Sequence, residues 1–522
     1  MSFNSKKSIP CNAICTSLCL ILAVVFVVLL MHKLPSVSSA DENDLPETDK
    51  TAADITEKCR ITAENGMSVI SCDEEIQGIY IEWKKTPSEW YATVRGNRQT
   101  YGQNGFLHEY VEVGTTSVSL SVASFKSNAY SYTVYGKGDL PDSVQRWDAP
   151  CKKADLMLLS THADDEHLFF AGILPYYAGE KNYNVQVVYM VDHAKTSKSR
   201  PHELLNGLWA VGVRNYPIIG EPPDLYSESL KAGYSAFEKS GYTKDYFADF
   251  LVKNIRRFKP LVIVGHDING EYGHGAHMVY TDALINASKL TANADYDSES
   301  AEKHGVYTVP KIYLHLYEEN RIIMDWDSLK LEKFGGRTAF RVSVEEGFAE
   351  HKSQHYTWFA KWSGYYDTWN VKSAADIEKL PGKAGVYKIV KGEGFSPRIF
   401  GLYSSTVGGD ILKNDFFENI DKSLIEGEKP VTTTGTATTT VPVTTEPTPG
   451  TTTEHYESKP SSGSTDSTRP LTTADPGGNA DRSDTDKSST TAALVAAGAI
   501  ILLAVLFTLI AFAASKLRGK RS

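Results

Sequence analysis

The 522-residue sequence lacks a concentrated cluster of basic residues, apart from its last few positions, and its formal net charge is −10. Because binding to the phosphates of nucleic acid requires clustered Lys and Arg, this absence argues against a nucleic acid partner. The sequence also shows no convincing internal repeat. Cysteine is scarce, with six residues in all.

Three of these cysteines lie in or beside the first apolar segment, which leaves Cys59, Cys72 and Cys151 for the folded part. If this part is secreted, Cys59 and Cys72 are close enough in sequence to close a small loop through a disulfide, with Cys151 free or paired elsewhere. The alternative is that all three are unpaired thiols.

The rest of the composition is that of a globular protein, with 41% hydrophobic and 23% charged residues. The length exceeds one ordinary domain, so we expect two folded units together with non-globular segments.

Both ends of the chain carry apolar segments. The first, residues 14–31, follows Lys6 and Lys7 and precedes small residues, so residues 1–40 are predicted to be a signal peptide or a signal anchor. The second, residues 492–514, has no charged residue and precedes a basic tail at residues 515–522. This order predicts a transmembrane helix with a cytoplasmic tail, because a GPI signal, the alternative, normally ends in its apolar part.

Residues 429–491 are rich in Thr, Ser and Pro and cannot bury a core. This composition predicts a disordered, mucin-like stalk that holds a folded domain away from the bilayer. The organisation favours a single-pass plasma membrane protein whose folded part lies outside the cell.

Residues 41–150 are predicted to form a small all-β sandwich, because short segments rich in Tyr, Val, Thr and Trp alternate with Gly, Asn and Ser. The predicted strands are residues 79–83, 90–94, 117–122 and 130–135. Trp83, Trp90, Tyr91 and Tyr101 could form a platform for sugar stacking, but packing in the core is the preferred interpretation.

Residues 151–428 show strands that alternate with helices. Strands are predicted at residues 155–160, 185–191, 261–264 and 312–317, and helices at 166–178, 203–213, 246–258 and 276–290. This alternation predicts a Rossmann-like, three-layer α/β/α domain with a mostly parallel sheet. Ligand-binding groups are expected at the carboxyl ends of its strands.

Two polar clusters follow predicted strands in this domain. Residues 161–166 read Thr-His-Ala-Asp-Asp-Glu, and crowding three acids with an imidazole favours a bound cation, although capping of the next helix is the alternative. Residues 266–277 contain His274 and His277, which can face one side. Imidazole and carboxylate ligands suit zinc, and three protein ligands with one open position are typical of a catalytic site.

These clusters carry a family resemblance. Residues 161–166 resemble the Ala-His-Pro-Asp-Asp-Glu signature of the PIG-L/LmbE-like zinc-dependent N-acetylglucosaminyl deacetylases, and residues 270–277 resemble their Gly-x-Tyr-Gly-His-Pro-Asp-His. Arg200 and Glu203, followed by Gly212 and Val213, resemble the family's Arg-x-x-Glu segment before Leu-Gly-Val, where the Arg touches the sugar. The resemblance covers about residues 154–354.

The resemblance implies a role for each matching residue. A zinc ion would be held by His162, Asp165 and His277, with Asp164 as general base toward a water molecule. His274 and Tyr272 would stabilise the oxyanion, or His274 would protonate the leaving amine, and Arg200 would bind substrate. The implied activity is zinc-dependent hydrolysis of the acetamide of an N-acetylglucosamine-type sugar, in an extracellular glycan or glycolipid, with release of acetate.

The sequence departs from the family pattern at two positions. Ala163 replaces a Pro, and Ala276 replaces an Asp that helps to orient the site, so Asp267 or Glu271 could take that orienting role. Near residue 354, His351, Ser353 and Gln354 resemble a family His-x-Ser-Gln segment, which is interpreted as packing. The alternatives are a metallophosphatase, which usually needs a second metal ion, and a non-catalytic surface carbohydrate-binding protein with a degenerate metal site.

Overall fold

The structure is a computed structural model that describes residues 51–354 and 395–427. The predicted signal segment, the stalk, the predicted transmembrane helix at 492–514 and the basic tail lie outside these ranges. Within them, no helix is long and apolar enough to cross a membrane. The described residues all belong to one compact unit.

The first sheet is antiparallel, and four of its six strands overlap the four strands predicted from the sequence. The strands at Arg60–Glu64 and Asn97–Tyr101 were not predicted. The six strands are β1 (Arg60–Glu64), β2 (Met67–Trp83), β3 (Trp90–Val94), β4 (Asn97–Tyr101), β5 (His108–Leu120) and β6 (Ala129–Tyr135). The order is β1-β2-β5-β3-β4, and β6 pairs with β2. All six strands join one hydrogen-bonded sheet, where the sequence predicts a sandwich. The domain boundary at residue 150 stays a prediction.

Aromatic residues fill the core of this sheet. Trp83 packs edge-on against Trp90, with ring centroids 5.4 Å apart, and against Phe125 at 5.8 Å. Trp90 stacks on Tyr101 at 4.8 Å. Trp83 and Trp90 are both buried, so the preferred interpretation as core packing is confirmed for these two residues.

The second sheet is mostly parallel, as predicted. The remaining strands are β7 (Leu156–Ser160), β8 (Val185–Tyr189), β9 (Ile218–Ile219), β10 (Val262–Gly265), β11 (Lys311–His315), β12 (Arg321–Ile323), β13 (Lys330–Leu331), β14 (Arg337–Thr338) and β15 (Ile399–Ser405). The sheet order is β12-β15-β11-β10-β7-β8-β9, while β13 and β14 pair with each other. Strand β15 runs antiparallel to both of its neighbours.

Helices cover both faces of this sheet. The helices are α1 (Phe125–Asn128), α2 (Asp165–Leu168), α3 (Arg200–Ala210), α4 (Leu230–Lys239), α5 (Lys244–Phe258), α6 (Gly275–Leu290), α7 (Ser298–His304) and α8 (Ala339–Val342). Along β7, Leu156 and Leu158 pack in one core cluster, while Met157 and Leu159 pack in a second. Successive side chains of a strand point to opposite faces of its sheet, so the two clusters lie on opposite faces and the sheet is buried on both sides.

The core on one face of the second sheet is continuous with the core of the first. The same cluster contains Trp83 and Val111 of the first sheet and Leu156 of β7. At the junction, Phe106 stacks on Tyr216 with ring centroids 4.6 Å apart. The first sheet is therefore packed directly onto the α/β layers.

Three local features differ from the sequence prediction. The helix predicted at 166–178 is divided into α2 and a π-helix, Pro175–Glu180, because the chain turns between them at Gly172, whose φ of 98° is incompatible with a continuous α-helix. Helix α4 was not predicted, although Ser229 caps it by accepting a hydrogen bond from the backbone of Ala232. In the described part of the chain, Cys59, Cys72 and Cys151 are free thiols, so the predicted Cys59–Cys72 disulfide is not formed in this structure.

Candidate metal centre and active site

The candidate site lies at the carboxyl edge of the second sheet. Strands β7 and β10 are adjacent and parallel, with Leu156 opposite Val262. The polar segment 161–166 follows β7, and the segment 266–277 follows β10, so both segments reach the same edge. This is where parallel α/β sheets place their binding residues.

Three predicted ligands meet at this edge. His162 Nδ1 lies 3.0 Å from His277 Nε2 and 3.2 Å from Asp165 Oδ2. The third side of this triangle, from His277 Nε2 to Asp165 Oδ2, is 3.3 Å. All three side chains are buried.

The size of this triangle fits a metal ion. Tetrahedral bonds of about 2.0–2.1 Å to zinc would place ligand atoms about 3.3 Å from one another. Two imidazole nitrogens and a carboxylate oxygen are also a typical donor set for a catalytic zinc. The described residues therefore contain a cluster whose size and donor atoms fit a divalent metal ion.

The charges around His162 favour a cation. Burial by itself lowers the pKa of His162, but the Asp224 and Asp165 carboxylates outweigh it and raise this pKa to about 10. Burial likewise opposes ionisation of Asp165, yet His277 and His162 hold its pKa well below the ordinary value. A position that attracts a proton so strongly also attracts a metal cation.

Glu271 orients the histidines behind the triangle. Its Oε2 lies 2.7 Å from His277 Nδ1 and 2.8 Å from His266 Nδ1, while its Oε1 lies 2.7 Å from His315 Nδ1. Carboxylates in this position fix the tautomer of a ligating histidine. Ala276 is fully buried on α6, and the orienting carboxylate at His277 comes from Glu271, one of the two residues that the sequence offered for this role.

Asp164 sits in an unusual backbone conformation beside the triangle. Its φ is 120°, which is strained for a residue with a Cβ. The strain is held by neighbours, because the Asp164 N–H donates to Glu166 Oε2 at 3.0 Å and Arg200 donates to the Ala163 carbonyl at 2.6 Å. Arg200 Nη2 also lies 3.4 Å from Asp164 Oδ2.

Burial raises the pKa of Asp164 to about 7, against the opposing effect of Arg200 and with a further increase from Asp165. A carboxyl group with a pKa near neutral can both take up and release a proton. Asp164 and Arg200 thus form an acid–cation pair at the edge of the triangle.

His274 and Tyr272 lie on the open side of the site. The Tyr272 hydroxyl is 3.2 Å from His274 Nδ1. Burial lowers the pKa of His274 to about 2, and the charge of His162 adds to this effect. His274 Nε2 is buried and makes no hydrogen bond to any described residue.

Two residues of the site were missed in the sequence. Asp224 Oδ1 lies 3.4 Å from His162 Nε2, and Asp224 Oδ2 lies 3.2 Å from Arg200 Nη1. His193 Nε2 accepts a hydrogen bond from the Ala163 N–H at 2.9 Å. Both residues follow strands of the same sheet edge, but β9 has only two residues and gives no periodic signal for Asp224.

The His-x-Ser-Gln segment packs behind the site. Ser353 donates to Glu203 through its backbone N–H at 2.9 Å and through its hydroxyl at 2.6 Å. His351 is fully buried. The packing interpretation agrees with these contacts.

Comparisons with known proteins agree with this geometry. Residues 157–288 match the family described as PIG-L: GlcNAc-PI de-N-acetylase. The chain is 26% identical over 219 residues to 1D-myo-inositol 2-acetamido-2-deoxy-alpha-D-glucopyranoside deacetylase 1 of Catenulispora acidiphila, which covers 38% of this chain and 65% of that protein. It is 26% identical over 192 residues to 1D-myo-inositol 2-acetamido-2-deoxy-alpha-D-glucopyranoside deacetylase of Streptomyces griseus. This match covers 33% of this chain and 57% of that protein.

The chain thus spans less than two thirds of the length of these two relatives. Among solved structures, N,N'-diacetylchitobiose deacetylase from Pyrococcus horikoshii is 17% identical, covers 42% of this chain and 82% of that chain, and gives a TM-score of 0.28. The family match at residues 157–288 contains both polar segments and confirms the resemblance of this part of the chain to the PIG-L family.

Proposed function

We propose that this protein is a zinc-dependent N-deacetylase that hydrolyses the acetamide of an N-acetylglucosamine-type sugar and releases acetate. The observation that carries the proposal is the triangle formed by His162, Asp165 and His277 beside the buried carboxyl of Asp164. The family match and the deacetylase names of the relatives support the same reaction.

The metal ligands would be His162, Asp165 and His277. A zinc ion bound there supplies Lewis acidity, which lowers the pKa of a bound water and polarises a carbonyl oxygen. Glu271 keeps His277 in the orientation needed for ligation through its Nε2, because the carboxylate lies against the opposite ring nitrogen.

Asp164 would act as the general base. Its carboxyl is buried beside the triangle and has a pKa raised to about 7, primarily by burial, so it can accept a proton from the attacking water at neutral pH. Arg200 approaches the same carboxyl and would also donate to hydroxyl groups of the sugar.

His274 and Tyr272 would assist at the acetamide carbonyl. The buried His274 Nε2 has no hydrogen-bond partner in the described structure and is therefore able to contact substrate, while Nδ1 is held by the Tyr272 hydroxyl. Donors positioned at a developing oxyanion are typically a large contribution to amide hydrolysis. The exposed ring of Tyr226 stacks on His274 and extends the wall to which a sugar ring could bind.

The proposed substrate class is an extracellular glycan or glycolipid that carries N-acetylhexosamine. The relatives are named for an inositol-linked N-acetylglucosamine, which shares the acetamido sugar. The predicted export signal and residues 492–514 support a site outside the plasma membrane, anchored by one helix.

Acetate release tests the proposal. The full chain in detergent would be incubated with chitooligosaccharides and with N-acetylglucosamine glycolipids, with added zinc and with a chelator. We expect zinc-dependent release that is lost in Asp164→Asn and kept in Asp245→Asn, which makes the same chemical change at an exposed position.

Two results would count against the proposal. Binding of one zinc ion and of sugar without acetate release from any substrate would favour the alternative, a non-catalytic surface carbohydrate-binding protein. Release only from an inositol-linked glycolipid would keep the deacetylase and overturn the extracellular substrate class.

A further inference from the structure

A second group of buried ligand atoms lies behind the candidate active site. It consists of Glu166 and His167 on α2 and His351, which follows a short 3-10 helix, Phe348–Glu350. All three side chains are completely buried. None of the roles proposed above uses His167 or His351.

Glu166 and His167 each have one polar atom bonded to the surrounding fold, whereas both ring nitrogens of His351 lack a hydrogen bond to any described residue. Glu166 Oε2 accepts from the Asp164 N–H and the Ser160 hydroxyl, and His167 Nδ1 lies 3.3 Å from the Ser343 hydroxyl. The atoms of this group without a hydrogen bond to any described residue are Glu166 Oε1, His167 Nε2 and both ring nitrogens of His351. Because buried polar atoms are normally paired, a ligand is expected to satisfy the atoms that face one another.

Gly207 on α3 keeps space at this position. A Cβ at residue 207 would lie 2.8 Å from His351 Nε2 and 2.9 Å from His167 Nε2. A side chain there would press on both unsatisfied nitrogens. Glycine in the interior of a helix is less favourable than alanine, and the close approach of the two histidines explains why alanine is absent.

The distances distinguish a metal ion from a water molecule. Glu166 Oε1 lies 3.3 Å from His351 Nε2 and 3.6 Å from His167 Nε2. A water molecule at about 2.8 Å from tetrahedrally placed partners would hold them about 4.6 Å apart. A metal ion with bonds of about 2.0–2.1 Å would hold them about 3.3 Å apart, close to both observed separations.

We propose that Glu166, His167 and His351 bind a second divalent transition metal ion, such as zinc, that is separate from the catalytic one. The Tyr189 hydroxyl is also buried without a hydrogen bond to a described residue, and Glu166 adds to the effect of burial in raising its pKa. The site has no solvent access, so the ion is structural. It joins α2 to residue 351 and thereby supports the loop that carries Asp164.

Metal content measured on the full chain tests this inference. After purification with zinc and exhaustive dialysis, we expect two zinc ions per wild-type chain and one per chain in both His167→Gln and His351→Gln. His277→Gln should also retain one, because it removes only the catalytic ligand. His304→Gln, a partly exposed histidine outside every cluster of potential metal ligands in the described residues, is the control and should retain two.

A wild-type content of one ion, or two ions in His167→Gln, would overturn the second site. If the variants fail to fold, anomalous diffraction from crystals of the wild-type protein at the zinc edge decides. A peak among Glu166, His167 and His351 supports the site, and its absence overturns it. The result does not depend on acetate release, because two ions without any release would overturn only the proposed function.

Discussion

The first sheet and the carboxyl edge of the second sheet both bury a carboxylate, but they surround it differently. Glu109 in the first sheet accepts hydrogen bonds from the indoles of Trp83 and Trp90, each at 2.8 Å, and from the Gly102 N–H at 2.7 Å. Asp165 at the sheet edge is surrounded by histidines that leave ring nitrogens without hydrogen bonds to described residues. The donors around Glu109 are all hydrogen-bonded, which is typical of a structural network. Some ring nitrogens around Asp165 lack partners among the described residues, and a bound ligand would complete that network.

The comparison leads to different expectations for stability. Removing Glu109 leaves three buried donors without an acceptor. Replacing Asp165 with Asn removes the charge that pairs with His162 and His277, but keeps an oxygen for the His162 N–H, which Asp165 Oδ2 accepts at 2.8 Å. Residues of functional sites are often retained at a cost in stability.

The largest expected effect is on metal binding. Asp165→Asn should lose the catalytic zinc completely and abolish acetate release, because a neutral amide replaces the anionic ligand. The free energy of unfolding of the metal-free protein should fall by less than in Glu109→Leu, because the amide still accepts from the His162 N–H although it no longer forms the ion pairs. Zinc content and urea unfolding in chelator measure the two effects. A large loss of stability in chelator would remove the distinction between the two networks.

The next effect is on the first sheet. Glu109→Leu should destabilise the protein by about 3 kcal/mol or more, since each of the three unsatisfied donors costs about 1–3 kcal/mol. Glu112→Leu, an exposed position on the same strand, is the control and should change stability by less than about 0.5 kcal/mol. Urea unfolding measures both variants. Equal stability of the two variants would show that the hydrogen bonds to Glu109 contribute little to the free energy of unfolding.

A third effect concerns acid, at the contact between the first sheet and α3. His108 Nε2 lies 2.7 Å from His202 Nδ1, and the Tyr80 hydroxyl, Gln145 and Glu82 surround His108. Burial lowers the pKa of His108 to about 3, with the charge of His202 adding to this, and burial lowers the pKa of His202 to about 4.

Because these folded-state pKa values lie below the unfolded value of about 6.5, the unfolded chain binds more protons in acid. Stability is therefore present above about pH 6.5 and is lost as the pH falls toward 4, by about 3 kcal/mol for each of the two histidines. Urea midpoints at pH 7, 5 and 4 should fall less steeply for His108→Gln than for wild type. If the urea midpoints of His108→Gln and wild type fall equally with pH, other groups cause the loss of stability in acid.

The smallest effect sharpens the role of Glu271. Glu271→Gln should weaken zinc binding by about 10–100-fold without removing a ligand, because the amide orients His277 less strongly. Glu238→Gln, at an exposed position on α4, serves as control. Competition with a chromogenic chelator gives the affinity. Unchanged affinity would mean that the packing around His277 alone fixes its ring.

The sequence predicted the parts of the molecule that have a period or a motif. The apolar segments that became β7, β8, β10 and β11 were found, and so were the residues that follow β7 and β10, because strand length and motif order specify both. Asp224 was missed because it lies in a loop after a two-residue strand, where its contact with His162 depends on tertiary packing. The sequence did not predict that β1 to β6 form one hydrogen-bonded sheet. The alternation of apolar and polar residues along a strand does not specify which strand it pairs with.

Strand β15 determines when the chain can complete its fold. It lies between β11 and β12, although more than 80 residues separate it from β11 in sequence. Farther along, the backbone N–H groups of Glu426 and Gly427 donate to Asp155, which precedes β7. During synthesis, the ribosome must therefore release residues up to about 427 before the sheet closes, so the nascent chain depends on contacts of high sequence separation and is expected to fold slowly.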